Sequence, residues 1–181
     1  MFQQFNPLIR LPRLLAGAML FLIAGAAPLA AEETDVLLPA NTGKDAVLEN
    51  DEGTASTVEP SGEGFRIHSD FSAGGDWTQY RLRIPPFGGP LRAIKLTAKG
   101  SGVKLLIGVR SDDKGPVISY KVPALADMAD QPQTYELDAG KNRGGNAELQ
   151  FPIVGIVIFV KKQGGDTADV EITKLSLCTG D

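Results

Sequence analysis

The segment Leu91–Arg110, LRAIKLTAKGSGVKLLIGVR, constrains the fold of this chain more than any other stretch. Ile94, Leu96 and Ala98 alternate with Lys95, Thr97 and Lys99. Beyond Gly100-Ser101-Gly102, Val103, Leu105, Ile107 and Val109 alternate with Lys104, Leu106, Gly108 and Arg110. Strict alternation sends successive side chains to opposite sides of an extended backbone. Each half is therefore a strand with an apolar inner face and a basic outer face. Glycines on both sides of a serine suit a chain reversal. The expected arrangement is a β-hairpin, or two neighbouring strands, whose lysines and Arg110 share one surface.

The same reading continues along the chain. Further strands are expected at Ala46–Glu49, Gly64–Ser69, Trp77–Ile84, Val117–Val122, Thr134–Asp138, Ile153–Lys161 and Asp169–Leu177. Most are rich in β-branched or aromatic residues and bounded by Gly, Pro, Asn or Asp. PPFGGP at 85–90, DDKG at 112–115, GKNRGGN at 140–146 and QGGD at 163–166 carry turn chemistry. Only Pro123–Asp130, barely two turns, has helical character. Short strands at this spacing without crossover helices predict an all-β, antiparallel β-sandwich of eight or nine strands. Ile153–Val160 is apolar on both faces, so it lies mid-sheet with both sides covered or on the floor of an apolar groove.

Three segments follow from composition. Arg10 and Arg13 precede the apolar run Leu14–Ala27, and Pro28-Leu29-Ala30-Ala31 leads into Glu32-Glu33. This is the layout of a secretory signal peptide, residues 1–31, cut after Ala31. An uncleaved anchor is the competing reading, but the run is short of the roughly 20 residues a membrane span needs. The expected location is periplasmic or secreted, with no membrane span in the mature chain. Residues 32–45, polar and containing Pro39 and Gly43, read as a mobile lead-in; residues 46–181 read as one domain. The single cysteine, Cys178, excludes an internal disulfide and reads as a packed thiol at the end of a strand.

Charge is segmented. Between Trp77 and Pro123 nine basic residues face only Asp112 and Asp113, although the whole chain carries a formal charge of −4. A cationic band in an acidic protein either pairs with acids on neighbouring strands or draws in an anionic partner. Export and overall acidity argue against nucleic acid. Catalysis is poorly supported. The only histidine, His68, stands in His68-Ser69-Asp70, where strand geometry turns Ser69 away from the other two. One His and one Cys do not make a zinc set. No phosphate-cradling glycine motif is present. The chain reads as a non-enzyme.

The order of motifs resembles a known family. An acidic, glycine-ended start (Glu49 to Gly53) is followed by a Trp-initiated strand ending in an aliphatic-Pro pair (Trp77 to Pro85). Then come AIKLTAKGSG (93–102), LLIGVRSD, QTYEL (133–137), an I-x-I-x-V strand (156–160) and VEITKLSL (170–177). This order is similar to the galactose-binding-like jelly roll of non-catalytic carbohydrate-binding modules and CIA30-type domains, over Ala46 to Cys178. The resemblance implies a two-sheet sandwich that binds a glycan on a sheet face or in end loops. It also implies a structural Ca2+ held by acids near the first and last strands, here Glu49, Asp51 and Glu52. The closing strand has Thr173 where such modules often place an acid.

Phase narrows the ligand-binding candidates. Tyr80, Tyr120 and Tyr135 fall in phase with apolar residues, whereas Trp77 falls in phase with Gln79, Arg81 and Arg83. Arg81, Arg83, Lys95, Lys99, Lys104 and Arg110 are all on the out-of-core phase. The expected site is Trp77, Arg81, Arg83, Lys95, Lys104 and Arg110, gathered on one basic face. The expected function is a non-catalytic module for carbohydrate, an anionic glycan included. The alternative is a cell-envelope protein-interaction or assembly domain on the same fold.

Overall fold

The computed structural model describes residues 32–37, 46–145 and 147–180; the signal-peptide segment, residues 1–31, lies outside them. The described residues form twelve strands and no helix. In order these are β1 (Glu33–Asp35), β2 (Ala46–Asn50), β3 (Ala55–Ser61), β4 (Gly64–Asp70), β5 (Trp77–Phe87), β6 (Leu91–Ser101), β7 (Val103–Arg110), β8 (Ile118–Lys121), β9 (Gln133–Asp138), β10 (Arg143–Gly144), β11 (Ile153–Lys162) and β12 (Thr167–Thr179). A back sheet runs β3-β4-β12-β6-β9, with β1 also paired to β12. A front sheet runs β10-β8-β7-β11-β5-β2. Every pairing is antiparallel.

The inner faces follow the alternation. Leu82, Leu105, Ile107, Ile156 and Ile158 of the front sheet meet Phe65, Ile67, Leu96, Ile172 and Leu175 of the back sheet in one core. Phe65 and Tyr80 join the sheets edge to face, with ring centroids 5.1 Å apart. At one end the space between the sheets holds a hydroxyl network instead of hydrocarbon. Ser56 Oγ donates to Ser69 Oγ at 3.0 Å, Ser69 Oγ donates to Thr78 Oγ1 at 3.2 Å, and Thr78 Oγ1 donates to Asn50 Oδ1 at 3.0 Å. Most buried polar groups are hydrogen-bonded, and here the hydroxyls supply one another's partners.

The hairpin expected at 91–110 does not form. β6 pairs with β12 and β9 in the back sheet, whereas β7 pairs with β11 and β8 in the front sheet. The break is a corner at which the chain changes sheets. Gly102 takes φ +65° there, and a Cβ on it would lie 2.4 Å from the Thr167 carbonyl oxygen. Only glycine tolerates both the backbone and the approach. An arch between facing sheets keeps both apolar faces inward just as a hairpin does, so alternation alone does not separate the two.

Other differences are local. Part of the segment read as a mobile lead-in is strand: β1 pairs with β12, and Val36 and Leu37 enter the core. Residues 38–45 lie outside the described set. Pro123–Asp130 is an irregular strap rather than a helix, tied down by Gly100 N to Ala126 O (2.8 Å) and Ala126 N to the Tyr135 hydroxyl (2.8 Å). Cys178 is buried, as expected of a packed thiol, and burial pushes its pKa up.

Candidate functional site

The cross-strand register turns the outer face of the front sheet into a grid. One row reads Arg83–Gly155–Arg110. The next reads Val47–Arg81–Val157–Gly108–Ser119. Then come Glu49–Gln79–Phe159–Leu106–Lys121 and Trp77–Lys161–Lys104. Val157, Phe159 and Leu106 thus form an apolar centre with cationic residues around it. Val157 is fully buried although it faces outward. Val117 covers this part of the face: a Cβ on Gly108 would lie 2.4 Å from Val117 Cγ1 and 3.3 Å from Val157 Cβ. The covered reading of Ile153–Val160 therefore holds at Val157, while Phe159 stays partly exposed.

Arg81, Arg83 and Arg110 converge on a shallow cleft of about 320 Å³, completed by Val47, Leu82, Gly155 and Asp113. Arg83 Nη2 donates to Asp113 Oδ2 at 2.8 Å, and Arg110 Nη2 lies 3.6 Å from Asp113 Oδ1. Arg81 pairs with Glu49, which also accepts a hydrogen bond from Gln79. Gly155 has no side chain to separate the flanking arginines, and Arg110 lies over it. A Cβ on Gly155 would come within 3.0 Å of Arg110 Nε and 3.2 Å of its Cγ. The Nε groups of Arg81 and Arg110 are buried without a hydrogen-bond partner. Asp113 reaches the arginines from the loop after β7, where Asp112 Oδ1 accepts from the backbone N–H groups of Lys114 (2.7 Å) and Gly115.

At the other end of the face, Lys104 and Lys161 are directly opposite each other, and Lys121 stands across from Leu106. These three lysines are exposed and make no ion pair among the described residues. Trp77, half-buried at the start of β5, is the cross-strand neighbour of Lys161.

Lys95 is not part of this surface, and the single basic face expected from sequence is divided. Lys95 and Lys99 project from the back sheet because β6 belongs to it. The acids of that sheet neutralise them. Glu33 bridges Lys95 (2.8 Å) and Lys174 (2.7 Å), Glu171 faces Lys99 at 3.8 Å, and Asp169 takes Arg66 at 2.6 Å with His68 Nδ1 at 3.1 Å. The two lysines hold the Glu33 carboxyl down at about 2. Of the expected ligand residues, Trp77, Arg81, Arg83, Lys104 and Arg110 share the front face. Gly155 and Asp113 complete the cleft and escaped the sequence reading. Gly155 gave a local signal, the one break in IVGIVIFV, whereas Asp113 gave none.

The residues proposed for Ca2+ do not fit a calcium site. Glu49 is held by Arg81 and Gln79, Asp51 Oδ2 accepts the Asp76 N–H at 3.1 Å, and Glu52 is exposed in the turn after β2. Asp169 and Glu171 are spent on the outer face of the back sheet, and Thr173 Oγ1 donates to the Thr97 carbonyl (3.3 Å). No group of three or more acids, histidines or cysteines forms among the described residues, against the six to eight oxygens Ca2+ takes.

No protein-family model and no curated protein matches the chain. Solved structures do. A variant of a family 29 carbohydrate-binding module aligns with TM-score 0.56 at 17% identity, covering 83% of this chain and 93% of that one. A second structure of that family, complexed with mannohexaose, aligns with TM-score 0.54 at 19% identity, covering 83% and 93%. The family 11 module from Clostridium thermocellum, in complex with a β-1,3-1,4-mixed-linked tetrasaccharide, aligns with TM-score 0.58 at 12% identity, covering 82% and 96%. At these identities the likeness is one of fold, and the chain is a jelly-roll β-sandwich of the architecture on which carbohydrate-binding modules are built.

Proposed function

We propose that this chain is an exported, non-catalytic carbohydrate-binding module that takes its ligand on the outer face of the front sheet. The contrast between the two outer faces carries the reading. The back face is a lattice of ion pairs, with Glu33, Asp169 and Glu171 each engaged by cations. The front face keeps Lys104, Lys121 and Lys161 unpaired among the described residues, beside partly exposed Trp77, Phe159 and Leu106. Ring faces and apolar side chains receive the C–H face of a sugar, while cationic donors orient its oxygens. The modules of similar fold, whose structures hold oligosaccharides, support the same reading. Residues 1–31, read as an export leader, support a periplasmic or secreted location.

Affinity electrophoresis through gels cast with neutral and acidic polysaccharides tests it. Retardation that Trp77→Ala abolishes is the expected result, and no retardation by any polysaccharide rejects it. The shallowness of the cleft favours a second reading, a protein-interaction module of the cell envelope using the same face. That reading predicts no glycan retardation, together with a soluble complex lost on charge reversal at Lys104 and Lys161.

A further inference from the structure

We infer that the arginine cleft is a carboxylate subsite for an acidic glycan of the uronic acid class, and that Asp113 fills it in the free protein as an internal stand-in. The inference builds on the carbohydrate-binding reading and names the class of sugar. Arg83 and Arg110 are two strands apart in one row, about 10 Å between backbones, with only Gly155 between them. Their side chains lean together over that gap toward a single carboxylate. A guanidinium pairs best with a carboxylate through two parallel N–H donors. Asp113 offers each arginine one oxygen, at 2.8 and 3.6 Å. Arg83 makes a single side-chain hydrogen bond, to Asp113, and Arg110 makes only the longer contact, so Asp113 does not saturate their guanidinium donors. The Arg83–Arg110 pair therefore holds more donor capacity than Asp113 uses.

Asp113 is placed to leave. Its side chain is 57% exposed while that of Arg110 is 13% exposed. It sits in a turn shaped by Asp112, so its departure breaks no strand pairing. A uronate lying along the face would bring its carboxylate to the place Asp113 holds at the two arginines and its ring against Val47, which is 49% exposed on the edge strand. A sulfate ester shares the anionic chemistry, and the experiment separates it from a carboxylate.

The test measures retention of the full mature chain on polygalacturonate, a sulfated galactan and a neutral mixed-linkage β-glucan. Asp113→Asn is expected to tighten polygalacturonate binding by about threefold and Arg83→Ala to weaken it by about tenfold, with β-glucan binding unchanged by either. Asp166→Asn, which makes the same charge change in the turn before β12, is expected to leave all three unchanged. Asp113→Asn is also expected to gain thermal stability from free galacturonate but not from galactose, a readout that holds if the variant is less stable. Tightening by Asp166→Asn equal to that by Asp113→Asn overturns the subsite in favour of bulk charge. A preference for the sulfated galactan overturns the carboxylate assignment. Retention on β-glucan alone, insensitive to Arg83→Ala, rejects the subsite and keeps the carbohydrate reading; no retention on any of the three rejects both.

Discussion

Lys99 and Lys104 are five residues apart and project from opposite outer faces of the sandwich. Lys99 stands opposite Glu171 on the back sheet, and Lys104 stands opposite Lys161 on the front sheet. The corner at Gly102 separates them. A ligand on the front face therefore meets Lys104 and never Lys99. Lys95→Ala with Lys99→Ala is expected to leave glycan retention as in the parent, whereas Lys104→Ala weakens it. Equal loss from both variants in affinity electrophoresis contradicts the assignment of faces.

The facing pair Lys104 and Lys161 carries a cost to the fold. Like charges directly opposite on antiparallel strands destabilise, and neither lysine has an acid partner among the described residues. Lys161→Glu is expected to stabilise the protein by about 0.5 kcal/mol in low salt. The gain fades as salt is raised, because screening weakens exposed pairs. Urea unfolding at two ionic strengths checks both the sign and the salt dependence.

Gly64 opens β4 where it crosses β12. A Cβ there would lie 1.8 Å from the Ile172 carbonyl oxygen and 2.8 Å from Thr173 Cα, at the bulge between Ile172 and Lys174. The obstruction is backbone on both counts, so no rotamer relieves it. Gly64→Ala is expected to lose about 3 kcal/mol in urea unfolding. Gly62→Ala, where nothing lies within 4 Å but φ is +58°, should cost only about 1 kcal/mol.

Thr78 is the hub of the buried hydroxyl network, contacting Ser56, Ser69 and Asn50. Thr78→Val keeps the shape and leaves its partners short of a bond. The expected loss is about 2 kcal/mol. Ser69→Ala removes one member while Ser56, Thr78 and Asn50 still have each other, for about 1 kcal/mol. A reversed order of the two losses in chemical denaturation would place the weight of the network elsewhere.

Glu33 makes part of the stability acid-sensitive. Its folded pKa is about 2 against an ordinary 4.5, because Lys174 and Lys95 donate to its carboxylate. A depressed carboxylate stabilises the native state above its unfolded pKa, and the contribution is lost as pH falls through the window from about 4.5 toward 2. Glu33→Gln is expected to flatten that limb of a melting-temperature profile and to lower stability at pH 7. The effect is modest, since the pair is partly solvated. An unchanged acid limb removes β1 from the list of pH-sensitive contacts.

The strands with a regular apolar phase were legible from local pattern. β3 was not: ASTVEPS is mostly polar and carries Pro60, which an edge strand tolerates because one side needs no ladder bond. β1 is three exposed residues, a strand only because the final strand offers it a partner. The strap at 123–130 looked helical from composition, but its backbone groups find bonds to Gly100 and the Tyr135 hydroxyl.

The candidate site divides in the same way. Alternation correctly sent Arg81, Arg83, Lys104 and Arg110 outward and the tyrosines inward or against the core, since side-chain direction depends only on position along one strand. It was silent on which sheet each strand joins. Hydrogen-bond partners are chosen over long sequence distances, as when β6 takes β12 and β11 takes β7, and a shift from hairpin to arch leaves every apolar residue facing the core. Long-range pairing alone moved Lys95 to the far face, set Gly155 between Arg83 and Arg110, and brought Asp113 over both.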